Sequence, residues 1–172
     1  MTNYRVTELT KSLPATVPFV GPETQERARG GPFDARIGAN ECVFGPSPMV
    51  VAAIAEAASD AWMYGDPENH TIRRAIATHH GVEPDNVMVG EGIDGLFGYV
   101  VRLFVESGDA VVTSQGAYPT FNYHVVGYDG QLVTVPYRDD REDVDALLAA
   151  AAECQAKLIY LANPDNPMGT WW

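Results

Sequence analysis

Residues 36–172 predict an α/β fold, a mainly parallel sheet flanked by helices, preceded by an extended N-terminal arm over residues 1–35. Three observations carry it. Short runs rich in β-branched residues, such as Ala110-Val111-Val112-Thr113-Ser114, recur after residue 86. Helix-length amphipathic stretches separate them. Turn residues punctuate each junction, and repeated βα units of this kind place helices on both faces of a parallel sheet.

The elements follow in order. Pro14, Pro18, Pro22, Pro32 and Gly30-Gly31 argue against helix and ladder alike, hence the arm. Ser47-Pro48 reads as an N-cap with proline at the first helical position, opening a helix to about residue 62. Tyr64-Gly65-Asp66-Pro67 is a turn, and a helix over 68–80 stops at Gly81. Residues 86–90 read as a short buried strand, 93–104 as a helix and 109–114 as a second strand. A helix over 119–126, a strand over 131–135, an amphipathic helix over 142–154 and a fourth strand over 157–162 complete the pattern. No internal repeat or low-complexity tract interrupts it.

Composition removes several function classes. Asp and Glu number 23 against 11 Lys and Arg, a net charge of −12, and such a surface repels nucleic-acid phosphates and anionic membranes. No apolar run reaches the ~20 residues of a membrane span. The opening residues lack the apolar segment of a secretory signal, and two cysteines, Cys42 and Cys154, suit a reducing cytoplasm. The ending Gly169-Thr170-Trp171-Trp172 exposes two tryptophans where natural termini are polar, so the sequence reads as cut short.

Gly90-Glu91-Gly92-Ile93-Asp94-Gly95 matches G-x-G-x-x-G between a strand and a helix. Backbone N–H groups at such a helix start cradle phosphate. A dinucleotide site needs an acidic residue ending the next strand, and here that strand ends in Ser114-Gln115-Gly116. A nicotinamide-dependent dehydrogenase, a purely structural turn and a different phosphate ligand all remain open on this loop alone.

Four more motifs accompany it: Ile37-Gly38-Ala39-Asn40-Glu41 leading to Gly45-Pro46-Ser47-Pro48; Tyr64-Gly65-Asp66; Tyr118-Pro119-Thr120-Phe121; and Asn163 to Gly169 (NPDNPMG). In this order they resemble the first half of a fold-type-I aminotransferase dependent on pyridoxal phosphate, most of all the histidinol-phosphate branch. The resemblance implies that residues 36–172 form the first part of a large cofactor domain. It implies transfer of an amino group between an amino acid or amino-phosphate and a 2-oxo acid such as 2-oxoglutarate, in amino-acid biosynthesis, by a cytoplasmic homodimer. A threonine-phosphate decarboxylase or another amino-acid aminotransferase would share the same motifs.

By the same resemblance, Gly92, Ile93 and Asp94 hold the cofactor phosphate, Tyr118 stacks on its ring and Asn166 hydrogen-bonds its phenolic oxygen. Tyr64 reaches the phosphate of the partner subunit, and Ala39 and Asn40 lie beside the substrate carboxylate. The family often has Ser where Ile93 stands, Glu where Gly95 stands and Thr where Met168 stands, so hydroxyl contacts are lost. The Schiff-base lysine of the family follows the position of Asn166. The lysines here are Lys11 and Lys157, so no catalytic residue is assigned, and the 172 residues alone read as an inactive or non-catalytic fragment.

Other residues read as structural. His79-His80 diverge by ~100° on a helix and cannot share a metal ion, and none is assigned. Asn163 and Asp165 read as Asx turns, Phe121 as packing, and both cysteines as inert. The run Asp139-Asp140-Arg141-Glu142-Asp143 reads as a solvated face before a helix N-terminus.

Overall fold

Prolines open helices in the first part of the chain and do not prevent them. The computed structural model describes residues 4–14, 20–38 and 40–172. In it α1 spans Glu8–Ser12 and α2 spans Pro22–Arg29, so the expected extended arm carries two short helices. Pro22 sits at the first helical position, where its missing N–H costs nothing. α3, Pro48–Ala57, starts as expected: the Ser47 hydroxyl accepts from the Val50 amide. A 3-10 turn over Ala58–Asp60 takes the chain on toward residue 62. α4, His70–His80, ends at Gly81 in the left-handed conformation. Ahead of it, the Asp66 carboxylate accepts from the Glu68 and His70 amides, which holds that carboxyl below its usual range.

Residues 86–90 are not a strand. A 3-10 turn over Pro84–Asn86 leads into extended backbone at Val87, which joins no ladder. The Arg73 guanidinium takes the Val87 carbonyl at 2.9 Å, and Met88 is exposed, so the buried setting expected of this run is missing.

The rest of the alternation is present. α5 spans Gly92–Phe104, β1 Ala110–Ser114, α6 Thr120–Gly127, β2 Gln131–Val135, α7 Val144–Cys154 and β3 Leu158–Tyr160. The sheet is parallel, in the order β2-β1-β3, with Val111 opposite Leu132 and Leu158. Alternation along β1 sends neighbouring side chains to opposite faces. Val111 joins Val101, Val105, Phe121 and Val125 in the core under α5 and α6. Val112 joins Val135 and Leu147 in the core under α7. The chain is therefore α/β, with helices on both faces of a parallel sheet. It divides into two units, one holding residues 90–172 and the other residues 20–89.

Candidate functional site

In an open parallel sheet, ligands collect where loops leave the carboxyl ends of the strands. Three segments of the 90–172 unit carry site candidates: the loop opening α5, the loop after β1 and the loop after β3.

The α5 loop turns on Gly92, at φ +72° with open space where a Cβ would stand. Its own amide is used by the Gly90 carbonyl at 2.8 Å. No side chain caps the helix: Glu91 accepts from the Tyr99 hydroxyl and lies against Gly95 instead. The first-turn amides that lack helical acceptors are thus left to solvent or ligand. Ile93 and Asp94, in that turn, are exposed.

After β1, the 114–117 turn brings the chain to Tyr118, half-buried just before α6. After β3, Asn166 is also half-buried, and its side-chain amide makes no hydrogen bond to the described residues. Tyr160, the last residue of β3, is within electrostatic reach of all three segments. Burial raises its pKa most, and the charges of Glu142, Asp165, Tyr118 and Asp94 add to the rise. Its ring stacks on Phe121 at 4.5 Å, and both meet Phe97 edge-on at 5.4 Å. Phe121 is buried packing, as its sequence setting implied.

Beneath the site lie groups that sequence reasoning missed. Asp165 is only 6% exposed and accepts from the Tyr137 hydroxyl at 3.0 Å and the Met168 amide at 2.9 Å. It is therefore more than a local turn residue. Asn163 is not a simple turn either, since its side chain exchanges two 3.1 Å bonds with the backbone of Trp172. Glu142 corrects the reading of its acidic run as solvated, being 1% exposed. Burial pushes its carboxyl up and the Asp165 charge adds to that, while the Ser114 hydroxyl and Ala162 amide pull the other way. Neither carboxyl oxygen makes a well-formed hydrogen bond. Asp143 does cap α7, accepting from the Ala146 amide. No local pattern flags Glu142, because only the strand ends folded over it bury it.

The remaining candidates lie elsewhere. Tyr64, fully exposed, and Asn40, exposed at φ +55°, belong to the 20–89 unit. Ala39 lies outside the described residues. Lys157 precedes β3 at the amino edge of the sheet, 4.0 Å from Asp109, opposite the edge that carries Tyr118 and Asn166. Lys11 is on α1, paired with Glu8. Both cysteines are free thiols. No helix among the described residues is long and apolar enough to cross a membrane.

Such an edge offers backbone amides for an anion at the α5 start, with an aromatic face after β1 and a side-chain amide after β3. Known proteins bear on its role. The profile of the class I and II aminotransferases matches residues 35–172. A histidinol-phosphate aminotransferase of Anaeromyxobacter sp. is 38% identical over 162 residues, which cover 94% of this chain and 44% of that protein. Among solved structures, histidinol-phosphate aminotransferase from Sinorhizobium meliloti in complex with pyridoxal-5'-phosphate is 60% identical, with a TM-score of 0.94. The match covers 99% of this chain and 45% of that one. Aspartate aminotransferase from Rhizobium meliloti, at 20% identity and a TM-score of 0.73, shares the fold. The chain spans less than half the length of these relatives.

Proposed function

The chain belongs to the class I and II aminotransferase family, and on that premise we propose that the protein it forms part of transfers an amino group using pyridoxal phosphate. The donor is a histidinol-phosphate-like amino-phosphate and the acceptor a 2-oxo acid such as 2-oxoglutarate. The observation that carries this reading is the donor set at the sheet's carboxyl edge. It combines an uncapped, glycine-opened helix start, an aromatic side chain and a side-chain amide with no hydrogen-bond partner among the described residues. The residues present fit the cofactor. Gly92 shapes the turn, its own amide being held by the Gly90 carbonyl, and the amides of Ile93 and Asp94, backed by the helix dipole, suit its phosphate. Tyr118 suits the face of its ring and Asn166 its phenolic oxygen.

When bound, the cofactor supplies an electron sink for the substrate carbon bearing the amine. The protein's part is to bind, orient and shelter. Tyr118 would fix the plane of the ring, and Asn166 would donate a hydrogen bond at its edge. By the family motif, Ala39 and Asn40 are assigned to the substrate carboxylate. Tyr64, wholly exposed, would reach the phosphate of a partner protomer if a homodimer shared its sites. Lys157 lies at the opposite edge of the sheet and Lys11 is paired with Glu8 on α1, and neither is assigned the Schiff-base role. Residues 1–35 serve as an arm and 36–172 as the first part of the large domain. The free thiols suit a cytoplasmic, biosynthetic enzyme.

The test uses the whole protein with pyridoxal phosphate, histidinol phosphate and 2-oxoglutarate, following glutamate formation. Tyr118→Ala should weaken cofactor affinity by roughly three- to tenfold, the worth of one aromatic contact. Equal affinity in both proteins removes the stacking role. Binding of a nicotinamide dinucleotide in place of pyridoxal phosphate overturns the whole reading.

A further inference from the structure

Tyr137 stands two residues past β2, outside every motif, yet it touches both loops that bear the ring-binding candidates. Its ring lies against Gly116, two residues before Tyr118, where a Cβ would come within 3.2 Å of Tyr137 Cε2. Gly116 is at φ +99°, a conformation side chains resist, so the close approach and the turn both require glycine. The Tyr137 hydroxyl donates to Asp165 Oδ1 at 3.0 Å, one residue before Asn166. The other Asp165 oxygen takes the Met168 amide. The Asp165 backbone closes the same turn: its amide donates to Thr170 O at 2.7 Å, and its carbonyl accepts from Gly169 at 2.9 Å. Asp165 is thus a buried hub of the turn carrying Asn166, and Tyr137 is its link to the rest of the fold.

We propose that Tyr137 and Asp165 are positioning residues, a strut that sets the Tyr118 loop and the Asn166 turn at a fixed separation, so that ring face and ring edge are gripped together. The proposal rests on the cofactor reading above. The phenol is a dependable donor, and burial, then the Asp165 bond, raise its pKa above the ordinary tyrosine value of 10. Glu142, also within electrostatic reach, adds to that rise.

The experiment compares wild type, Tyr137→Phe, Asn166→Ala and the double variant in the whole protein. Tyr137→Phe keeps the ring on Gly116 and removes only the hydroxyl. In cofactor-free protein, amide exchange should rise roughly fivefold in both 115–118 and 165–170, the loss of about one hydrogen bond. Unchanged exchange, or a rise spread evenly over the chain, overturns the strut. In the loaded protein, the pH midpoint of the cofactor's visible absorbance should move the same way in Tyr137→Phe and Asn166→Ala, with no further shift in the double variant. An additive shift, or none in Tyr137→Phe while Asn166→Ala moves, refutes positioning and leaves the cofactor reading intact. A silent Asn166→Ala overturns both.

Discussion

The two units of this chain spend their apolar residues in opposite ways. In residues 90–172, Val101, Val111, Val125 and Leu147 are buried, and both apolar core clusters lie there. In residues 20–89, α3 has no buried residue and α4 has only Ala77. Phe44, Met49, Ile54, Trp62 and Tyr64 stand exposed there. The difference separates hydrophobicity from burial. The helix PMVVAAIAEA is as apolar in sequence as many core helices, and its sequence cannot say what it packs against.

The largest expected effect breaks that comparison directly. Leu147→Ala, at 1% exposure, should cost about 3 kcal/mol in urea unfolding, whereas Ile54→Ala, at 64%, should cost under ~0.5 kcal/mol. Equal losses would mean that Ile54 is buried in solution, and the contrast between the units would fail.

Glu142 sharpens it, as the fully buried carboxyl of an acidic run in the better-packed unit. Its folded pKa is raised, so the folded state holds a proton that the unfolded state releases first. Its unfavourable contribution is therefore absent below the ordinary glutamate value of 4.5, grows as pH rises toward the raised value and is complete above it. Glu142→Gln should stabilise the protein by about 1–2 kcal/mol at pH 8 and make little difference at pH 4, read as thermal midpoints across that range. A gain independent of pH would assign the effect to packing.

Asp66 gives the smallest effect and the opposite sign, in the exposed unit. Its folded pKa is lowered by the His70 and Glu68 amides. Its contribution is present above the unfolded value of 3.8 and fades as pH falls through the depressed one. Amide exchange at His70 should quicken in Asp66→Ala at pH 7, and the difference from wild type should shrink as pH drops below 3.8. A pH-independent gap would leave only the geometry of the turn.

How much of this was legible depended on how local each cause is. Ser47-Pro48 and Gly81 set helix ends through backbone groups a few residues away, so their sequence reading holds. The β-branched runs at 110–114 and 131–135 likewise became strands. Residues 86–90 carry a similar pattern, but a strand needs a ladder, and Arg73 occupies the Val87 carbonyl. Pro22 read as a breaker and is a helix opener, since proline's meaning turns on whether the position is first or internal. The site candidates were legible as motifs because each sits on a glycine- or proline-marked loop. Tyr137 and Glu142 were not. The partner of Tyr137 lies 28 residues on, and the turn that buries Glu142 against Ser114 and Ala162 has no local signature.

The strand order has a consequence for how the chain is made. β1 is central, and its partners arrive in sequence, β2 first and β3 afterwards. A ribosome emitting ~5–20 residues per second therefore leaves one edge of β1 bare while residues 136–157 emerge, roughly one to four seconds. During that interval Val111 and Val112 lie on an open edge that a neighbouring nascent chain could pair with. Leu158, Ile159 and Tyr160 end that exposure when they dock, so the three-residue strand that looks least substantial in the finished sheet closes its most vulnerable edge during synthesis.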